Sequence, residues 1–242
     1  MCTVVIDVAA QGARLLAVRD EDPQRAWDDL GEWWPDRYPG VVGIRDRRAG
    51  GAWLALDPAR GRLAVLLNRA DVLDLPEQHV LSRGSLALES VAGRAPDGGP
   101  LPMHGFNLLE VTLQGSRVLS WDGTALRETA VPDGVHMIAH DDLDDPRTAR
   151  IETWLPRFAG IERELAAREG ASGGEGDADW ADRWVALLAE SAALSADDDR
   201  AIIRDNTAHG YPTLSLLYCT AEVTAGRTAA RSHALPTPGA WS

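Results

Sequence analysis

Cys2-Thr3-Val4-Val5-Ile6-Asp7-Val8, the turn Gln11-Gly12, then Arg14-Leu15-Leu16-Ala17-Val18-Arg19 open the chain, and their reading decides its class. Apolar and β-branched residues fill both runs and a turn dipeptide separates them, so the segment reads as two strands of a hairpin. The pattern returns at residues 52–57 and 62–68, around Pro58 to Gly61, and again at 105–113 and 116–122, around Gln114-Gly115. Shorter strands are predicted over 125–131 and 135–140.

Helical spacing takes over from Pro146. Ile151, Trp154, Leu155, Phe158 and Ile161 share one stripe, and Trp180, Trp184, Leu187 and Leu188 make a second. The glycine-rich stretch between them predicts a flexible loop over 170–178, and Ser195 followed by Asp197 to Asp199 predicts a third, short helix. Strand character resumes at 211–222 and 228–235. Strands, a helical part over about 146–208, and closing strands together predict one α+β domain spanning 1–242, with helices outside mainly antiparallel sheets.

Composition narrows function before any motif does. The 242 residues are 45% hydrophobic and 25% charged, the balance of a folded protein with a sizeable core. A net charge of −13 argues against nucleic acid as a partner, because phosphate binding needs a basic face. All 24 basic residues are Arg, which removes Schiff-base chemistry, Walker-type phosphate loops and lysine bases. Two cysteines are too few for a disulfide framework or a cysteine zinc site. With no apolar run of membrane-spanning length and no secretory leader pattern, the expectation is a cytoplasmic protein without a membrane span.

Three places carry candidate chemistry. Cys2 follows the initiator directly; with Met1 removed, one residue holds a thiol nucleophile and an α-amine whose pKa of about 7.7–8.0 suits a general base. Its other reading is a small hydrophobe at a strand start. Val18-Arg19-Asp20-Glu21 ends the second strand and, if the hairpin pairs, lies beside the chain start. Arg19 would lower the thiol pKa or bind a substrate carboxylate or carbonyl, and Asp20 would hold the α-ammonium; the other reading is a salt bridge at a hairpin end. Gly50-Gly51-Ala52-Trp53-Leu54 permits close backbone approach to a ligand, and Asn68, at the end of an apolar strand, is either an oxyanion donor or the start of a turn. Trp33-Trp34-Pro35 reads as a lid or ligand wall. The acidic run Asp141, Asp142, Asp144 and Asp145 reads as capping of the following helix rather than a cation loop, and the histidines lack ligand spacing.

Met1-Cys2, Val18-Arg19-Asp20-Glu21, Gly50-Gly51-Ala52-Trp53-Leu54, Asn68, Ser82-Arg83-Gly84 and Gly105-Phe106-Asn107-Leu108-Leu109 occur in the order seen in the NRDE-domain family, also called transport and Golgi organisation 2. The chain resembles that family from its first residue to about Gly160, with Val18 in place of the first Asn of the Asn-Arg-Asp-Glu tetrad. The resemblance implies a fold similar to the N-terminal nucleophile hydrolases, a four-layer αββα sandwich. It implies Cys2 as nucleophile with its amine as base, Asn68 serving the oxyanion, and Arg19 and Asp20 orienting amine or substrate. His140 stands where the related hydrolases place another Asn, and Tyr211-Pro212-Thr213-Leu214-Ser215 lacks the Arg of the corresponding late strand. Trp53 and Asn107 are assigned to substrate binding. The expected reaction is hydrolysis of a non-peptide amide or acyl thioester of a small molecule, with no cofactor and no metal. The alternative is a non-catalytic carrier that binds haem or acyl-coenzyme A in the same cleft.

Overall fold

The computed structural model describes residues 2–172 and 179–241. In chain order the strands are β1 (Thr3–Ala9), β2 (Gly12–Glu21), β3 (Trp27–Gly31), β4 (Val42–Asp46), β5 (Ala52–Asp57) and β6 (Arg62–Asn68). Helix α1 (Leu86–Val91) follows, then β7 (Phe106–Thr112), β8 (Gly115–Trp121), β9 (Leu126–Val131) and β10 (Gly134–Ile138). Helices α2 (Ala149–Ser172) and α3 (Asp179–Ser191) precede β11 (Leu214–Thr224) and β12 (Arg227–Ala234).

These strands make two antiparallel sheets. One is a seven-stranded meander from β3 to β9, each strand pairing with the next. The other has the order β10-β1-β2-β11-β12, so the opening hairpin takes a strand from mid-chain on one side and the closing hairpin on the other. Period-two alternation divides the core. Val4, Ile6, Val8, Leu15 and Ala17 face the meander, where they meet Leu54, Val65, Leu67 and Leu109. Val5, Leu16 and Val18 point the other way, onto Ile151, Trp154 and Phe158 of α2 and Trp184 and Leu188 of α3. The outer face of the meander is covered by Leu86, Leu88 and Val91 of α1. The layers therefore run helix, sheet, sheet, helix, an α+β sandwich as expected.

Every strand read from the sequence is present, and two more are added. β3 and β4 sit at the edge of the meander and carry acids and glycines that depress β-propensity. Cross-strand charge supports them instead: Asp28 accepts hydrogen bonds at 2.6 Å from both Arg45 and Arg47. The short α1 is a second addition. The predicted third helix is absent: Ser195 to Ala201 forms turns, with Asp198 NH bonded to Ser195 O and Asp198 Oδ1 taking Arg200 NH. Local side-chain acceptors here compete with the helical ladder and win. Helix α2 extends to Ser172, so residues 170–172 of the predicted loop are helical, and 173–178 lie outside the described residues. Asp144 and Asp145 close the turn before α2, on Met137 NH and Arg147 NH, rather than capping its first turn. Among the described residues, no helix is long and apolar enough to cross a membrane, and no cluster of His, Cys, Asp and Glu has the geometry to hold a metal ion.

Candidate functional site

Cys2 immediately precedes β1, the second strand of its sheet, and strand register supplies its neighbours. The β1–β2 pairing begins Thr3 to Val18, and one step further sets Arg19 beside Cys2. The β1–β10 pairing ends Val4 to Ile138, and two steps further sets His140 on the other side. Parity then sorts the faces: Cys2 belongs to the layer between the sheets, which Arg19 shares, whereas Thr3 and Asp20 look toward the helices. Cys2 is only 6% exposed, and its Sγ accepts a hydrogen bond from Asp20 NH at 3.4 Å and lies 3.6 Å from Asp20 O.

A pocket of about 460 Å³ opens over this thiol, lined among others by Cys2, Arg19, Asp20, Trp53 and Asn68. Arg19 is 2% exposed; its Nη2 is 3.4 Å from Glu21 and its Nη1 is buried without a hydrogen-bond partner. Trp53 Nε1 is likewise buried and unpartnered. Asn68 stands exposed at the end of β6, opposite Phe106 of β7, and its side chain makes no hydrogen bond among the described residues.

Behind the thiol, on the helix side, lies a polar network. β11 carries a bulge between Ser215 and Leu217, opposite Asp20 and Arg19. Ser215 Oγ donates to Asp20 Oδ1 at 2.6 Å and accepts from Arg204 NH at 2.9 Å. Asn206 Nδ2 reaches Asp20 Oδ2 at 3.3 Å, and Arg204 Nε donates to Asn206 Oδ1 at 3.1 Å. Arg150, 2% exposed at the start of α2, donates to Thr3 Oγ1 at 2.9 Å. Burial, reinforced by the nearby Arg204, pulls its pKa down to about 10. The sequence shows no Arg in 211–215, but the buried Arg204 bonds to Ser215 of that stretch, and the buried Arg150 stands on β1 at Thr3. Arg150 was legible in principle, four residues before Trp154 and thus in line with the apolar stripe of α2. Arg204, Asn206 and Ser215 had no such signal.

Four expectations change. Arg19 does not set the thiol: burial raises the Cys2 pKa, Asp20 raises it further, and the guanidinium opposes them only weakly. Asn107 is fully buried and outside the pocket lining. Its Oδ1 takes Ser120 Oγ at 2.7 Å and its Nδ2 donates to Asp141 O at 2.8 Å, so its bonds tie the meander to the turn after β10 instead of meeting a ligand. His140 also lies outside the lining; its Nε2 is 3.3 Å from Asp141 and its buried Nδ1 has no partner. Burial, then Arg150, lowers its pKa and favours the neutral ring. Trp33 and Trp34 are fixed by indole N–H bonds of 2.8 Å to Asp29 O and Gly50 O and do not line this pocket.

The family model described as transport and Golgi organisation 2 matches residues 1–197, further than the motifs alone reach. The match takes in Cys2, the tetrad, α1 and α3 and stops before β11. No curated protein matches the chain.

Proposed function

The chain belongs to the transport and Golgi organisation 2 family, and on that premise we propose that it is a cysteine hydrolase of N-terminal-nucleophile type. Its substrate would be a small molecule with a non-peptide amide or an acyl thioester. The observation that carries the reading is the pocket itself, which brings Cys2, Arg19 and Asn68 to one opening from three different strands' ends.

The raised pKa of Cys2 keeps it a thiol at neutral pH, so attack needs a base. Once Met1 is removed, the α-amine of Cys2 accepts the thiol proton, and Sγ bonds to the substrate carbonyl carbon. The carbonyl oxygen takes the negative charge, and the uncommitted amide of Asn68 is the donor suited to hold it. As the carbon–nitrogen or carbon–sulfur bond breaks, the α-ammonium returns the proton to the leaving group. Water, deprotonated by the same amine, then cleaves the thioester on Cys2 and regenerates the thiol. Arg19 orients the carbonyl, and Asp20, anchored by Ser215 and Asn206, holds the strand end in register. Both cysteines are free, in keeping with a reducing, cytoplasmic setting.

The charged walls of the pocket suit a small polar substrate better than the apolar macrocycle of haem, which counts against haem as a cargo. Intact mass spectrometry of untagged protein tests the mechanism: loss of one Met, a transient acyl mass on Cys2 and turnover beyond one equivalent are expected. Retention of Met1 on all molecules sinks the self-activating mechanism. Tight reversible binding that survives Cys2→Ala, without any covalent species, returns the carrier.

A further inference from the structure

Ser82-Arg83-Gly84 forms the far wall of the same pocket, and its geometry is built around one guanidinium. Ser82 Oγ accepts Gly84 NH at 3.1 Å, closing a short turn that begins at Arg83. This turn lies backbone to backbone on the Gly50-Gly51 segment: a Cβ at Gly51 would stand 1.9 Å from Gly84 O, which excludes any side chain there. Arg83 Nη1 donates to Gly105 O at 2.5 Å, so the side chain is held at both ends. Two motifs of the sequence, the double glycine and the Ser-Arg-Gly triplet, thus serve to place Arg83.

The guanidinium has no ion-pair partner within 4.0 Å among the described residues. The acids whose charge reaches it are committed elsewhere. Glu21 faces Arg19 and Arg25, at 3.4 and 3.8 Å, and Asp71 accepts Gly105 NH at 2.5 Å and Leu73 NH at 3.1 Å. Burial lowers the Arg83 pKa, the mark of a cation taken out of water without full compensation. Across the pocket, Nη1 of Arg19 is buried without a hydrogen-bond partner. The pocket lining sets Arg19, Arg25, Arg48 and Arg83 against Asp20, Glu21 and Asp46, and in a chain of net charge −13 that local excess of cation suits an anion.

We propose that the substrate carries a carboxylate or phosphate away from its scissile bond, and that Arg83 recognises that group. The assignment rests on the hydrolase reading for the bond that is cut, but not for the binding of the anion.

The test pairs acyl donors that share the uncharged leaving group N-acetylcysteamine: butyryl against succinyl, and acetyl against phosphonoacetyl. Acylation of Cys2 is followed by intact mass, and binding of succinate and of inorganic phosphate is followed by calorimetry. Anionic donors should react about 10-fold faster or more than their neutral partners. Arg83→Gln should erase most of that ratio while sparing the neutral donors, and Arg83→Lys should keep part of it. A purely structural Arg83 would slow both donors of a pair equally, so an unchanged ratio in Arg83→Gln overturns the proposal, as does a wild-type ratio near one. The stronger of the succinyl and phosphonoacetyl responses identifies the group. If succinate or phosphate binds through Arg83 yet no donor acylates Cys2, the hydrolase reading fails and the anion site stands. If Cys2 acylates with no preference for anions, the hydrolase stands and the anion site fails.

Discussion

Cys2 and Cys219 lie in the same apolar layer between the sheets, two strands apart, and differ in almost everything that governs reactivity. Cys219 sits mid-strand in β11, paired with Ala17 on one side and Ser232 on the other, and is 0% exposed. Burial raises its pKa, and the charge of Asp29 adds to the rise. Cys2 is nearly as buried, but it stands just before a strand, receives a backbone N–H and borders a pocket. Burial fraction hardly separates the two thiols; position along the strand does. A residue before the first ladder bond leaves one side open to a ligand, whereas a mid-strand residue is closed on every side by its own sheet.

Removing each sulfur in turn is the sharpest way to break this comparison. Cys2→Ala should lower turnover of an acyl donor by at least about 10³-fold, the scale of losing a nucleophile. Cys219→Ala should leave turnover within about twofold and lower stability by about 1 kcal/mol, through lost packing. Activity lost equally in both variants would mean that the thiols are not distinct.

Alkylation gives the next largest contrast. Iodoacetamide should modify Cys2 at least about 10-fold faster than Cys219, which waits on opening of the sheet. Because the Cys2 pKa is raised, its rate should climb steadily as pH goes from 6 to 9, with no plateau at the acid end. Peptide mapping that finds Cys219 modified first would remove the pocket from the argument.

Asp20→Asn addresses why the two environments differ. It withdraws the charge that adds to the rise in Cys2, so the alkylation profile should move to lower pH. It also weakens the bonds from Ser215 and Asn206, at a cost of about 1–3 kcal/mol in chemical denaturation. An unmoved profile would leave burial as the sole cause.

The smallest effect is a pH dependence of stability from the strand beside Cys2. His140 has its folded pKa lowered, so between that value and the unfolded value of about 6.5 the unfolded chain binds more protons. Stability should therefore fall as pH drops below about 6.5, and His140→Asn should flatten that slope. His136 acts oppositely: its hydrogen bond to Asp144 raises its pKa, so its contribution is present at low pH and is lost as pH rises through the folded value. A melting series over pH 5–8 on both single variants separates the two signs.

Much of the meander was legible because its information is local. Hairpins such as β5–β6 and β7–β8 join adjacent runs through short turns, and alternation names the face that is buried. The edge strands β3 and β4 escaped because ion pairs, not side-chain propensity, support them. The nearness of Cys2, Arg19 and Asp20 was legible because it follows from the opening hairpin, whereas their meeting with Asn68 at one pocket depends on how the two sheets stack. The environment of Asn107 was not legible, because a buried Asn and an exposed Asn near a strand end leave the same letter in the sequence.

What the sequence by itself determined, then, is the class of the fold, the family and the thiol, since each rests on residues near one another or on short motifs in order. The tertiary structure alone decided which polar groups are satisfied. It committed Asn107 to the protein, brought Ser215, Asn206 and Arg204 behind Asp20 from nearly two hundred residues away, and left Arg83 on the pocket wall bonded to Gly105 O with no ion-pair partner among the described residues, and Nη1 of Arg19 buried without a hydrogen bond. Hydrogen bonding and desolvation depend on which atoms meet across distant strands. That is fixed by packing, and no local pattern of side chains encodes it.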